Sequence, residues 1–231
     1  LEFRRVLFRS GNVLLDQLYG ASIEYRESGL DMNAEGEAVC EQLRKQGKKP
    51  YFIPGGGSNP VGALGYVKCA LELTNQINCQ NIQFDTLIHA TGSTGTQAGL
   101  IAGLEGVNSK LPVLGISVRQ PREKQIDAVW ALVRKTADKL KLPEILRDKV
   151  LVDDNYVGEG YGIPTDGTIE AITLLAQTEG ILLDPVYSGK GMAGLIDLIR
   201  KGVYRKEQRI LFLHTGGSAA LFAYERELFI S

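Results

Sequence analysis

The sequence has 231 residues, 44% of them apolar, enough to bury a core as one large domain or as one domain with part of another. Its 26 basic and 27 acidic side chains leave a net charge of −1, which excludes the basic field that nucleic acid or anionic lipid would require and points to a small-molecule partner. Cys40, Cys69 and Cys79 form no C-x-x-C pair and the only histidines are His89 and His214, so a disulfide scaffold and a metal centre are both disfavoured and a reduced, cytoplasmic setting is expected.

Residues 1–10, LEFRRVLFRS, carry three arginines, no initiator Met and no long apolar centre, and read as a non-native tail. On that reading the protein's own sequence starts in mid-chain near Gly11. NVLLDQLYG then reads as the end of a helix, ASIEY as a short strand and AEGEAVCEQLRKQG as an amphipathic helix closed by glycine. KPYFIP reads as a strand, followed by GGGSNP and the helix VGALGYVKCALELTNQ. The rhythm repeats as strand FDTLIHA, turn TGSTG, helix TQAGLIAGLEG, strand LPVLGISV and helix REKQIDAVWALVRKTADKL. Strand KVLVDD, loop NYVGEGYGIPTDG, helix TIEAITLLAQTEG, strand ILLDPVY, helix KGMAGLIDLIRKG and strand RILFLH complete it.

Short apolar runs separated by helices predict an α/β fold with a mainly parallel sheet covered on both faces, its ligands at the carboxyl ends of the strands. Residues 51–231 form the main lobe on this reading, and residues 11–50 the remnant of a smaller one. The charge-free stretch Thr86–Leu104 is long enough to span a bilayer, but its Gly, Thr, Ser and Gln content excludes that role.

Five strand ends are candidate sites. In TGSTGT, Gly92 and Gly95 let the backbone approach an anion, while Ser93, Thr94 and Thr96 add hydroxyl donors at a helix start. An ordinary turn with hydroxyl caps accounts for the same residues equally well. GGGSNPVG is neither a Walker A loop nor a dinucleotide fingerprint, because no G-K-[ST] follows and Pro60 stands where the third glycine belongs. No G-x-S-x-G nucleophile elbow occurs. Tyr161 lies in a long glycine-rich loop, Tyr187 at the tip of the predicted strand ILLDPVY, and Thr215 at the end of the last predicted strand. Each has a purely structural alternative that spacing does not exclude.

Taken together, PYFIPGGGSNPVGALGYV, ATGSTGTQAGL, GYGIPTDGTIEAI, GILLDPVYSGKGMAGLI and ILFLHTGG resemble the D-cysteine desulfhydrase and 1-aminocyclopropane-1-carboxylate deaminase family, from about Gly11 to about Ala223. The resemblance implies a pyridoxal 5′-phosphate enzyme of the tryptophan synthase β-like fold, type II, acting on an amino acid. It implies that Gly92, Ser93, Thr94, Gly95 and Thr96 hold the cofactor phosphate, that Tyr161 and Tyr187 stand over ring and substrate as proton-transfer groups, and that Thr215 sits beside the pyridine nitrogen. A hydroxyl there makes a weaker electron sink than a carboxylate would and suits rapid expulsion of a β-leaving group. Ser188 stands where ring-opening deaminases carry Glu, so α,β-elimination from D-cysteine is expected, with Ser188 at the substrate.

The resemblance also places the family's Schiff-base lysine upstream of anything in this sequence. Lys190 and Lys68 are the lysines inside the matched blocks; the counterpart of Lys190 is not the anchor, and a lysine at a helix start is expected to be solvated. The chain therefore reads as a fragment of an enzyme that is a homodimer at full length. A cyclopropane deaminase, an L-cysteate lyase and a non-catalytic phosphate-binding domain are the alternatives.

Overall fold

A computed structural model describes residues 11–27 and 29–229; the expected tail at 1–10 lies outside the described residues. In chain order these form α1 (Asn12–Leu18), α2 (Met32–Lys45), α3 (Pro60–Gln80), β1 (Thr86–Thr91), α4 (Gly95–Gly106), β2 (Val113–Ser117) and α5 (Arg122–Leu140). β3 (Leu151–Asp153), α6 (Asp166–Glu179), α7 (Ser188–Arg200), β4 (Ile210–Phe212) and α8 (Glu225–Phe229) follow.

The strands make one parallel sheet in the order β3-β2-β1-β4, with Leu87 opposite Val113 and Leu211, and Ile88 opposite Leu114 and Phe212. Side chains alternate between faces along each strand, so both faces must be covered for these apolar runs to be buried. Leu87 and Val113 pack with Val67 of α3, Ala98 and Leu100 of α4 and Val129 of α5. On the opposite face Ile88 and Ile116 pack with Ile172 of α6 and with Met192 and Leu195 of α7. This is the expected α/β architecture, a parallel sheet between two helical layers.

Local chemistry sets the helix starts. Asp31 caps α2 by accepting from the Asn33 and Ala34 amides, and Asn59 caps α3 through Val61 and Gly62 with Pro60 at the first helical position. Thr165 and Thr168 form a reciprocal capping box on α6. α3 and α4 lie so close that a Cβ at Gly99 would stand 2.3 Å from the Ala63 carbonyl oxygen. Only glycine permits that backbone approach.

Three expected strands are absent. ASIEY and KPYFIP belong to no strand, and Tyr51 and Ile53 are largely exposed. ILLDPVY is irregular and ends in a turn at 185–187, so Tyr187 is presented by a turn and not by a strand tip. RILFLH is shortened to Ile210–Phe212, which leaves Thr215 in the loop beyond β4. Among the described residues no helix is long and apolar enough to cross a membrane, and no cluster of His, Cys, Asp and Glu has the makings of a metal site.

His89, in the middle of β1, is fully buried; its Nδ1–H donates to the Ala90 carbonyl at 2.9 Å and its Nε2 has no partner among the described residues. Burial disfavours the imidazolium and pushes the pKa down to about 4 from 6.5. Between those values the unfolded chain takes up a proton that the folded chain refuses, so the stability present above pH 6.5 is lost as pH falls toward 4. The loss is roughly 3 kcal/mol at about 1.4 kcal/mol per unit. Urea unfolding at a series of pH values should therefore show a shallower acid loss for His89→Gln than for the unsubstituted chain; equal slopes would refute the assignment.

Candidate functional site

A cleft of about 750 Å³ opens at the carboxyl ends of the strands, where ligands of parallel sheets bind. Gly92, Ser93, Thr94 and Thr96 line it after β1, Arg119 after β2, Tyr161 in the loop after β3, Tyr187 before α7, and Thr215 after β4. Gly56, Ser58 and the start of α2 complete its wall. Gly56 has φ +66°, and a Cβ on it would stand 2.6 Å from that of Ser93, so GGGSNP is folded directly against the TGSTGT turn.

The turn leaves most of its amides free. The N–H groups of Gly92, Ser93 and Thr94 make no hydrogen bond among the described residues, and that of Gly95 donates to Ser58 Oγ at 3.2 Å. Thr94, at the N-cap of α4, makes no side-chain capping bond, unlike Asn59 and Thr165 at their helices. Hydroxyl capping therefore does not account for Thr94. Free amides and hydroxyls at the positive end of a twelve-residue helix are what a phosphate requires. Gly95 itself is buried in the first turn of α4, behind the lining residues.

Tyr161 and Tyr187 meet edge to face, ring centroids 5.8 Å apart and 70° between planes, with their hydroxyls hydrogen-bonded to each other. Partial burial, reinforced by that bond, raises the Tyr161 pKa above the usual phenol value, so it keeps its proton at neutral pH. The Arg119 guanidinium lies 5.7 Å from the Tyr161 ring centroid and is in no ion pair among the described residues. It is a cation facing the cleft, and the sequence signal for it is its position directly after the predicted strand LPVLGISV.

Ser188 is placed differently from the sequence expectation. It is 1% exposed and does not line the cleft; its hydroxyl donates to Asp184 Oδ1 at 2.6 Å and accepts from the Asp184 amide at 2.8 Å. The fully buried Asp184 carboxylate also accepts from the amides of Val186, Tyr187 and Ser188, each at 2.8 Å. This knot aims Tyr187 into the cleft and starts α7, and the Asp-Pro dipeptide ahead of a helix was its only sequence signal. Lys190 departs from expectation as well, being fully buried where a solvated helix-start lysine was expected.

Residues 8–216 match the model of the family described as "Pyridoxal-phosphate dependent enzyme". The chain is similar to the crystal structure of an ACC deaminase homologue, at 35% identity and a TM-score of 0.84, over 96% of this chain and 66% of that one. It shares its fold with a hydrogen sulfide-producing enzyme from Fusobacterium nucleatum, at 18% identity and a TM-score of 0.56 over 92% and 67% of the two chains. O-ureido-L-serine synthase is similar at 16% identity and a TM-score of 0.59, over 94% and 64%. The chain thus spans about two thirds of the length of the solved structures it matches. Its parallel sheet is that of the type II fold, and the chain belongs to the pyridoxal-phosphate dependent enzyme family.

Proposed function

We propose that the protein catalyses α,β-elimination on a β-substituted alanine, with D-cysteine as substrate and pyruvate, sulfide and ammonia as products once water has hydrolysed the enamine. The observation that carries this reading is the single cleft that joins the free amides and hydroxyls of the turn after β1 to the Tyr161–Tyr187 pair, while the nearby Asp184 carboxylate is turned away into the amides of Val186, Tyr187 and Ser188 and lies outside the described cleft lining. Among the described residues lining the cleft, Asp31 is the only acidic one, and it is committed to capping α2. The fit to the cofactor rests on the free amides of the turn.

When bound, the pyridoxal ring supplies the electron withdrawal that acidifies the substrate Cα–H. The protein's own contributions are binding and proton management. Ser93, Thr94 and Thr96 with the turn amides would hold the phosphate, and Thr215, lining the same cleft, would offer a neutral hydroxyl to the ring. Tyr161, protonated at neutral pH, is able to give its proton to the departing sulfur, with Tyr187 as its hydrogen-bond partner. Arg119 offers a guanidinium to the substrate carboxylate, a match of planar donors to planar acceptors.

Similarity to an ACC deaminase homologue supports a second reading, opening of the cyclopropane ring of 1-aminocyclopropane-1-carboxylate. The two readings part at the tyrosines, since Ser188 turns its hydroxyl to Asp184 and brings no acid to the cleft. For the full-length enzyme, kcat/KM for D-cysteine should exceed that for the cyclopropane substrate by about 10²-fold or more, the size of discrimination expected when a required polar partner is missing. The reverse preference overturns the assignment. We also propose that residues 11–50, in which Cys40 is the buried residue among those described, belong to a smaller lobe.

A further inference from the structure

Lys190 lies in the first turn of α7 with its side chain fully buried, and its Nζ donates to the carbonyl oxygens of Val157 at 2.5 Å and Gly160 at 2.8 Å. It makes no ion pair among the described residues, and burial pushes its amine pKa down. An ammonium withdrawn from water and met only by carbonyls is a poor way to stabilise a core, where an apolar side chain of the same length would serve better. Both acceptors belong to the glycine-rich loop that follows β3, and Gly160 immediately precedes Tyr161. Other ties of the loop include Tyr156 donating to Asp197 at 2.7 Å, Tyr224 donating to the Gly162 carbonyl at 2.9 Å, and the Tyr161–Tyr187 hydroxyl bond.

We infer that Lys190 is a positioning residue: it grips the backbone at Val157 and Gly160 from below and thereby fixes the loop that presents Tyr161 to Tyr187 in the cleft. Half of the Tyr161 side chain is solvent-exposed, so packing alone does not immobilise it. The consequence for turnover rests on the proposed role of Tyr161; the grip on the loop does not.

Both statements are tested with Lys190→Met in the full-length enzyme. Amide hydrogen exchange across 155–163 should quicken about ten-fold or more while β1 and α5 stay as protected as before, because the carbonyls freed at the surface turn to water without opening the core. Unchanged exchange at 155–163, or a rise of equal size throughout the core, overturns the positioning role. If the Met variant is not recovered folded, Lys190→Gln, which still donates but is one atom shorter, carries the same measurement against the same two outcomes. In turnover, kcat should fall by up to about 10²-fold with KM changed far less, the signature of a misplaced catalytic group. In a Tyr161→Phe background the same substitution should cost little further. Full additivity there refutes action through Tyr161, whereas an unimpaired Tyr161→Phe enzyme refutes the role of the tyrosine itself and leaves the exchange result to decide on Lys190.

Discussion

Purified by itself and supplied with pyridoxal phosphate, the 231-residue chain should release no sulfide from D-cysteine and give no lysine adduct on borohydride reduction. Pyridoxal chemistry needs an amine held in line with the cofactor carbonyl carbon, and effective molarities of about 10⁵ M or more come only from such placement. Every lysine of the sequence falls among the described residues, and none lines the cleft. Lys190 points away into the carbonyls of Val157 and Gly160, and Lys68 lies exposed on α3. We propose that the anchoring amine comes from residues other than these. Absorbance titration with pyridoxal phosphate, borohydride trapping and peptide mapping measure this directly. Stoichiometric labelling of Lys190 or Lys68 together with turnover would show that the amine is misplaced in this account.

Replacing Asp184 by Ala should cost about 3–5 kcal/mol, more than any other single side-chain truncation around the cleft. Its carboxylate is fully buried and accepts four hydrogen bonds, from the amides of Val186, Tyr187 and Ser188 and from the Ser188 hydroxyl. Alanine leaves all four donors without an acceptor in a place that water does not reach, and unsatisfied donors cost more than the bonds contributed. Asn, which keeps one carbonyl oxygen but turns an NH₂ toward the remaining amides, should fall between. Thermal unfolding should register the Ala change as a drop of about 10 °C or more for a chain of this size. The same lesion should loosen Tyr187 and with it the Tyr161 contact. An Ala variant within about 1 kcal/mol of the original stability would mean that the turn holds itself without the carboxylate.

The sequence by itself determined the layering and the polar turn that feeds α4. Apolar runs such as TLIHAT and VLGIS, bounded by helices of 3.6-residue periodicity, can be buried only as central parallel strands, and TGSTGT stands where such a strand feeds a helix. Those are local signals, written in consecutive residues. Whether a run becomes a strand is not local, since a strand exists only where a neighbour accepts its hydrogen bonds. KPYFIP has prolines at both ends of its core and no partner among the described residues, and ILLDPVY is diverted by the Asp184 turn while Ile181 and Leu182 remain exposed. The same distinction separates the site residues. Gly92, Ser93, Thr94, Thr96, Tyr161, Tyr187 and Thr215 do line one cleft, as loop segments after the strands would be expected to, although Tyr187 sits on a turn and Thr215 beyond the end of β4. The fates of Ser188, Lys190 and Arg119 were decided only by tertiary structure. Ser188 turns inward because Asp184, four residues earlier, is folded back beneath it; Lys190 is buried because the loop after β3 crosses over it; and Arg119 lies over the Tyr161 ring and makes no ion pair among the described residues. Burial and pairing are properties of surroundings assembled from distant parts of the chain, and for that reason no reading of neighbouring residues supplies them.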